Sequence, residues 1–340
     1  MKVVQWATGN IGTRSLAAVI DHPSLELVGL LVHNPEKVGR DAGELCGMAS
    51  TGVIATARRD DIVALGAECV LHMPRSLDVD DVCALLAGGS NVVTTCGAFH
   101  HPDSLDPAVR ERVEAACRAG GTSIHSTGSS PGFITEAIPL VLTSIQRRLD
   151  RLTIDEFADL SSRDSPDLLF DIMGFGRAPA AFDEGRVTHL RDAFGPSLRL
   201  LADTLSLPLD DVEAHGEIAI TPDGVDISAG SLPPGSVAGM RTTVSGMRNG
   251  TELIRFRANW YCTTDLDVDW DLQATGWRVN VEGDTPLDVA LHFPVSPERM
   301  ADTTPGYTAH RAVNAVAVVC AADPGIRTTA DLPQVIAELS

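Results

Sequence analysis

Along the first 130 residues, short unbroken apolar runs alternate with amphipathic stretches of helical spacing. Residues 2–6 form one such run and 13–21 follow with a helical period; 25–33 is continuously apolar, as a strand covered on both faces of a parallel sheet must be. Further short strands are predicted at 52–56, 69–73, 91–95 and 122–126, with helices starting near residue 60 and over 78–86 and 106–119. The rhythm changes after about residue 135. Helical spacing covers 133–149, 168–175 and 187–205, and a strand is predicted at 152–157. From 212 to 293 the pattern has period two, broken by turns at Pro222-Asp223-Gly224, Pro233-Pro234-Gly235 and Asn249-Gly250. Asn249-Gly250 between 237–247 and 252–262 is a hairpin signature, and in its second arm Ile254, Phe256, Ala258 and Trp260 alternate with Arg255, Arg257, Asn259 and Tyr261. A strongly apolar helix is predicted at 308–321. The fold class that follows is α/β: a doubly wound parallel sheet of Rossmann type, then a second α+β domain on a mixed, largely antiparallel sheet. Expected boundaries are 1–135, 136–304, and 305–340 as a C-terminal helix returning to the first domain.

The junction between the first strand and first helix reads Ala7-Thr8-Gly9-Asn10-Ile11-Gly12. A glycine at position 9 lets a pyrophosphate approach the backbone, one at position 12 lets helix and strand pack closely, and the free N–H groups of the helix start attract the phosphates. The chain is therefore expected to bind a dinucleotide. After the second strand the sequence is His33-Asn34-Pro35-Glu36-Lys37, with Arg40 beyond. Asn34, Lys37 and Arg40 suit a ribose 2′-phosphate, so NADP is expected, with NAD possible. His72, Met73 and Pro74, then Thr95, Cys96 and Gly97, then Thr127 and Gly128 end the next strands and are expected around the nicotinamide. Ser129, Ser130 and Pro131, with Phe170 and Trp260 of the second domain, are candidates for the substrate pocket.

Among 340 residues the acids outnumber the bases, for a net charge of −20, which argues against nucleic acid or an anionic membrane as partner. The seven cysteines are scattered without CxxC spacing; they read as reduced thiols rather than a disulfide framework or metal site, and a cytoplasmic protein is expected.

With these motifs placed, the chain resembles the dihydrodipicolinate reductase-like NAD(P)-dependent oxidoreductases, and within them the branch of 2,4-diaminopentanoate dehydrogenases and native amine dehydrogenases. The segments that carry the resemblance are 5–16, 33–47, 126–140, 153–166 and 305–326. The resemblance implies a homodimer and a small carbonyl/amine substrate pair. It also implies a glutamate just after the 91–95 strand, where this chain has Cys96-Gly97-Ala98-Phe99-His100-His101. Candidates for the acid/base role are His100 and His101, Glu136 beyond the Pro131-Gly132 turn, and Glu156. Asp155 and Glu156, as neighbours on one strand, point to opposite faces. The basic cluster that grips a dicarboxylate in dihydrodipicolinate reductases proper is absent, and 155–167 is acidic. Three functions stay open: reductive amination of small aldehydes or ketones with its reverse deamination, carbonyl or imine reduction without ammonia, and a non-catalytic NADP sensor.

Overall fold

The computed structural model describes residues 1–180 and 182–339. The chain divides into two compact units, Met1–Ala137 with Thr304–Ser340, and Ile138–Thr303.

The first unit runs β1 (Lys2–Trp6), α1 (Asn10–Ile20), β2 (Glu26–Leu31), α2 (Ala42–Cys46), β3 (Ala55–Thr56), α3 (Arg59–Val63), β4 (Cys69–His72), α4 (Val79–Ala87), β5 (Asn91–Thr94), α5 (Pro107–Gly120) and β6 (Ser123–Ser126). The second contains α6 (Ile138–Thr143), β7 (Leu149–Asp159), α7 (Glu184–Thr204), β8 (Asp211–Ile220), β9 (Val225–Ile227), β10 (Gly230–Leu232), β11 (Val237–Arg248), β12 (Thr251–Tyr261), β13 (Gly276–Gly283) and β14 (Leu287–His292). Then α8 (Pro297–Cys320) leads back into the first unit and β15 (Gly325–Ile326) ends the series.

The first sheet has seven parallel strands in the order β15-β6-β5-β4-β1-β2-β3. Its strands are buried on both faces. Val4, Trp6, Val70 and Val92 lie on one side with Val82, Leu85, Val113 and Cys117 of α4 and α5; Val3, Cys69, Leu71 and Val93 lie on the other with Ala312, Val316 and Val319 of α8. That double burial is why these strands read as unbroken apolar runs. The sharp start of α5 is set by Asp106, whose carboxylate accepts from the N–H groups of Ala108 and Val109.

The second sheet has six strands, β14-β13-β7-β12-β11-β8, antiparallel except for the β7–β12 pair. Phe256 of β12 stacks on Phe194 of α7 with ring centroids 4.0 Å apart, so the Ile254–Trp260 face is the helix-covered one. The opposite face carries Arg241, Arg255, Arg257, Asn259 and Asp155. Asp155 is paired with Arg257, its Oδ2 2.9 Å from Nη2. Arg241 donates to Asn259 Oδ1 at 2.6 Å and lies 4.5 Å from the Trp270 ring, and burial lowers its guanidinium to about 10.

Two sequence expectations change. The helix predicted over 133–149 is present but shorter: wide helical turns run to Ala137 and α6 continues to Thr143, where the helix ends. Gly132, at φ 118°, marks its start, and the chain is already extended at Leu149. The helix predicted from 308 begins at Pro297, eleven residues earlier, running through Pro305. No helix among the described residues is long and apolar enough to cross a membrane.

Candidate active site

The carboxyl ends of β1, β4, β5 and β6 lie side by side, and the backbone ladder continues beyond each strand. Met73 N–H donates to Trp6 O (3.0 Å), Thr95 N–H to His72 O (3.3 Å) and Thr127 N–H to Thr94 O (2.9 Å). In a parallel sheet of this order, that edge is where ligands bind.

Its first loop is held from below. Ala7 adopts φ 75°, a conformation L residues rarely take, and Gln5 Nε2 donates to its carbonyl at 2.9 Å while Ser15 Oγ donates to Gln5 Oε1 at 2.7 Å. A Cβ on Gly12 would sit 2.2 Å from Ala7 O, so the turn and the helix start demand glycine there. A Cβ on Gly9 would meet nothing within 4 Å. Gly9 caps α1 with no side-chain acceptor on the first-turn N–H groups, which leaves them for an anion outside the chain. These residues fit a dinucleotide pyrophosphate: bare N–H groups, open space over Gly9, and a lysine at the rim. Lys37 Nζ donates to Thr8 O at 2.8 Å and to Thr8 Oγ1 at 3.1 Å, so this cation belongs to the phosphate loop itself. Arg40 pairs with Glu44 at 2.7 Å on the surface, Asn34 Oδ1 accepts from Glu36 N–H, and His33 is exposed beside them.

His72 is buried and its ring lies 5.7 Å from that of Trp6; Nδ1 is 3.2 Å from Thr94 Oγ1, and Nε2 has no partner among the described residues. Burial, with help from the nearby His33, pushes its imidazole down to about 4, so it is neutral at physiological pH. Cys96 is half-buried, its thiol donates to Pro74 O at 3.7 Å, and burial raises its pKa. At the end of β6, Thr127 Oγ1 and Ser130 Oγ are buried hydroxyls without a partner among the described residues. Ser129 Oγ lies 2.8 Å from Thr308 Oγ1 of α8.

The structure brings two of the acid/base candidates together. His100 Nδ1 lies 2.6 Å from Glu136 Oε1, with His100 2% and Glu136 0% exposed. The other carboxylate oxygen, Oε2, accepts the hydroxyl of Thr329, three residues beyond β15. Arg311 of α8 is drawn toward the same carboxylate while burial lowers its pKa. His125 lies close as well; its Nδ1 is 2.8 Å from Arg327 O, and burial holds it at about 4. A fully buried carboxylate is tolerated only with such a set of donors and cations around it. His101 turns instead to Ser104, Nδ1 to Oγ 2.7 Å. Glu156 belongs to the second unit, where its Oε2 accepts from Trp277 Nε1 at 3.0 Å. Phe170 and Trp260 flank an apolar cluster of that unit built on Leu169, Phe175, Leu232 and Met240. Thr329 was invisible to sequence reasoning because it lies in no motif, and Thr308, though inside the 305–326 segment, is far along the chain from its partner Ser129. Gln5 and Ser15 sat within the quoted 5–16 segment, yet nothing in it announces that they brace Ala7.

Residues 133–340 match the family model of the 2,4-diaminopentanoate dehydrogenase C-terminal domain. The chain belongs to that family. Across almost its full length it is also similar to an amine dehydrogenase of Streptomyces virginiae, 27% identical over 347 residues, covering 98% of this chain and 96% of that protein. A 4-hydroxy-tetrahydrodipicolinate reductase of Nostoc sp. is 27% identical over 136 residues, 39% of this chain and 40% of the reductase. In fold, the structure of an amine dehydrogenase from Mycobacterium smegmatis superposes with a TM-score of 0.76 at 18% identity, covering 99% of this chain and 97% of that one. With the fold, the phosphate loop and this family membership together, the protein is a nicotinamide-dependent oxidoreductase.

Proposed function

We propose that the protein is an NADP-preferring amine dehydrogenase, which reductively aminates small, largely apolar aldehydes or ketones with ammonia and catalyses the reverse deamination. The observation that carries this reading is the buried Glu136–His100 pair beside the loop after β5. Relatives by resemblance place a glutamate in that loop; here the loop supplies a histidine and the carboxylate arrives from the turn after β6. Hydride transfer is the coenzyme's chemistry when it is bound; the protein's share is to orient the acceptor carbon and manage protons. Gly9, Gly12 and the α1 start would hold the pyrophosphate, and Lys37 with Arg40 the 2′-phosphate. Met73, Pro74, Thr95, Gly97, Thr127 and Gly128 would surround the nicotinamide, and Ser129, Ser130 and Pro131 the reacting group.

Coenzyme consumption with a panel of aldehydes and ketones, each with and without high ammonium, tests the proposal. Turnover only with ammonium is the expected result. The absence of an acid within the Cys96–His101 loop favours a second reading, a carbonyl or imine reductase, and turnover indifferent to ammonium would establish it. Tight NADPH binding without turnover on any substrate would leave a coenzyme-binding sensor. Replacing Arg40 by Ala should raise the KM for NADPH far more than for NADH; equal effects sink the NADP preference.

We also propose a homodimer, supported by the arginine-rich polar sheet face of the second unit, and a cytoplasmic protein, supported by seven free cysteines. Sedimentation showing a monomer at working concentration removes the first.

A further inference from the structure

We propose that the second unit binds a small carboxylate with an apolar chain, the carboxylate on Arg177 and Arg186 and the chain in the cavity they line. The site lies within that unit and goes beyond the proposed reaction, on which it does not depend. The cavity measures about 190 Å³, and its walls are apolar: Met173, Ala178, Phe182, Ile218, Val237 and Met240. At about 30 Å³ for each water-sized group, it holds about six non-hydrogen atoms. The charged groups that line it are Arg177, Arg186 and Asp183. An apolar hollow with a few fixed polar groups is the usual form of a small-molecule site.

The two guanidiniums converge because one turn draws both. The wide helical turn Asp167–Met173 ends at Gly174, φ 86°, and its last three carbonyls receive them. Arg177 Nη2 donates to Asp171 O and Arg186 Nη2 to Ile172 O, each at 2.9 Å, and Arg186 Nη1 donates to Met173 O at 3.2 Å. Their backbones are fixed as well. Gly176 N–H donates to Val237 O and Val237 N–H to Arg177 O, both at 2.9 Å, while Arg186 sits in the first turn of α7. Carbonyls at the end of a helical turn attract cations but do not neutralise them. Arg186 Nη1 also meets Met240 Sδ, which leaves Arg186 Nε and most of the Arg177 guanidinium uncommitted. Neither arginine has a carboxylate partner among the described residues. With 46 acids to 26 bases, the chain does not lack acids to pair them. The acid in the lining is engaged elsewhere: Asp183 Oδ1 caps α7, accepting from the N–H groups of Gly185 and Arg186 at 2.8 and 3.4 Å. Two like charges held together over an apolar hollow repel a cation and favour an anion with an apolar body. A carboxylate matches the guanidinium fork, and about four carbons behind it fit the cavity.

Titration calorimetry of the full chain without coenzyme tests the site, with pentanoate, pentanamide and pentylamine as probes. Pentanoate should bind and raise the melting temperature; the amide should bind about tenfold more weakly or worse, and the amine not at all. Added salt should weaken pentanoate. Arg177→Gln should lower pentanoate affinity about tenfold with melting temperature and NADPH affinity unchanged, because this exposed side chain holds a single carbonyl. Ala178→Trp fills the cavity and leaves both arginines in place, and should abolish binding. Absence of pentanoate binding, equal affinity for the amide, or wild-type affinity in Arg177→Gln overturns the proposal. Acetate binding as tightly as pentanoate also overturns it, since the anion would then owe nothing to the cavity. Pentanoate binding in a protein that proves to turn over no amine would leave the site standing and remove only the proposed reaction.

Discussion

The phosphate loop takes nearly all its parts from one stretch, Gln5 to Ser15, and borrows Lys37 and the Leu31 carbonyl. The Glu136 cluster takes one side chain each from the loop after β5, the turn after β6, α8 and the segment after β15. The first is built of backbone, with no space for a Cβ at Gly12 and a positive φ at Ala7; the second is built of buried side chains. One has room for a side chain at Gly9 and none at Gly12. The other depends on a balance of charge that any of four distant residues can upset.

Gly12→Ala should separate the two regions most strongly. The added methyl must push Ala7 O aside, so coenzyme binding measured by NADPH fluorescence should weaken by about a hundredfold or more and the melting temperature should fall, consistent with overpacking of about 1–3 kcal/mol. Gly9→Ala should weaken NADPH binding while leaving the melting temperature within a degree or two, because its Cβ enters open space; a lowered melting temperature would mean the loop is not open there.

Glu136→Gln should do the reverse: kcat down by about a hundredfold, within the range of lost acid/base assistance, with NADPH affinity unchanged. Loss of coenzyme binding in this variant would show that the cluster belongs to the loop after all.

The third way to sharpen the contrast is pH. His72 and His125 are held at about 4 instead of 6.5 by burial, so the native state refuses protons that the unfolded chain accepts. Stability is therefore full above about pH 6.5 and falls as pH drops toward 4, by about 3 kcal/mol for each histidine at the lower limit. Melting curves from pH 7 to pH 4 should show that slope, and His125→Gln should flatten it; an unchanged slope would mean His125 is not buried as a neutral ring. Smallest is Lys37→Ala, expected to weaken NADPH binding about tenfold, the value of one charge-assisted phosphate contact, measured by titration of the apoprotein.

The same contrast explains what could be read from the chain. Ala7 to Gly12 was legible because its function needs contiguous residues with particular backbone freedom, and the apolar runs of β1, β2 and β4 were legible because they are covered on both faces. Glu136 and His100 were visible only as separate candidates, since nothing along the sequence shows that they touch. Thr329 carried no mark at all. The two-residue β15 is too short for any periodicity, and α8 extends eleven residues earlier than its apolar stretch because its first turns include polar and exposed positions. The 133–149 helix was legible in its start and its apolar spacing but not in its end, which comes at Thr143 because the chain must be extended again by Leu149.

The placement of β15 bears on how the protein is made. The first unit closes its sheet edge with a strand that leaves the ribosome only after the whole second unit has been synthesised. The second unit, continuous from Ile138 to Thr303, has all its strands in hand earlier. The segment that begins the chain thus waits longest for its last neighbour, and α8 and β15 arrive as the stitch that ends the wait.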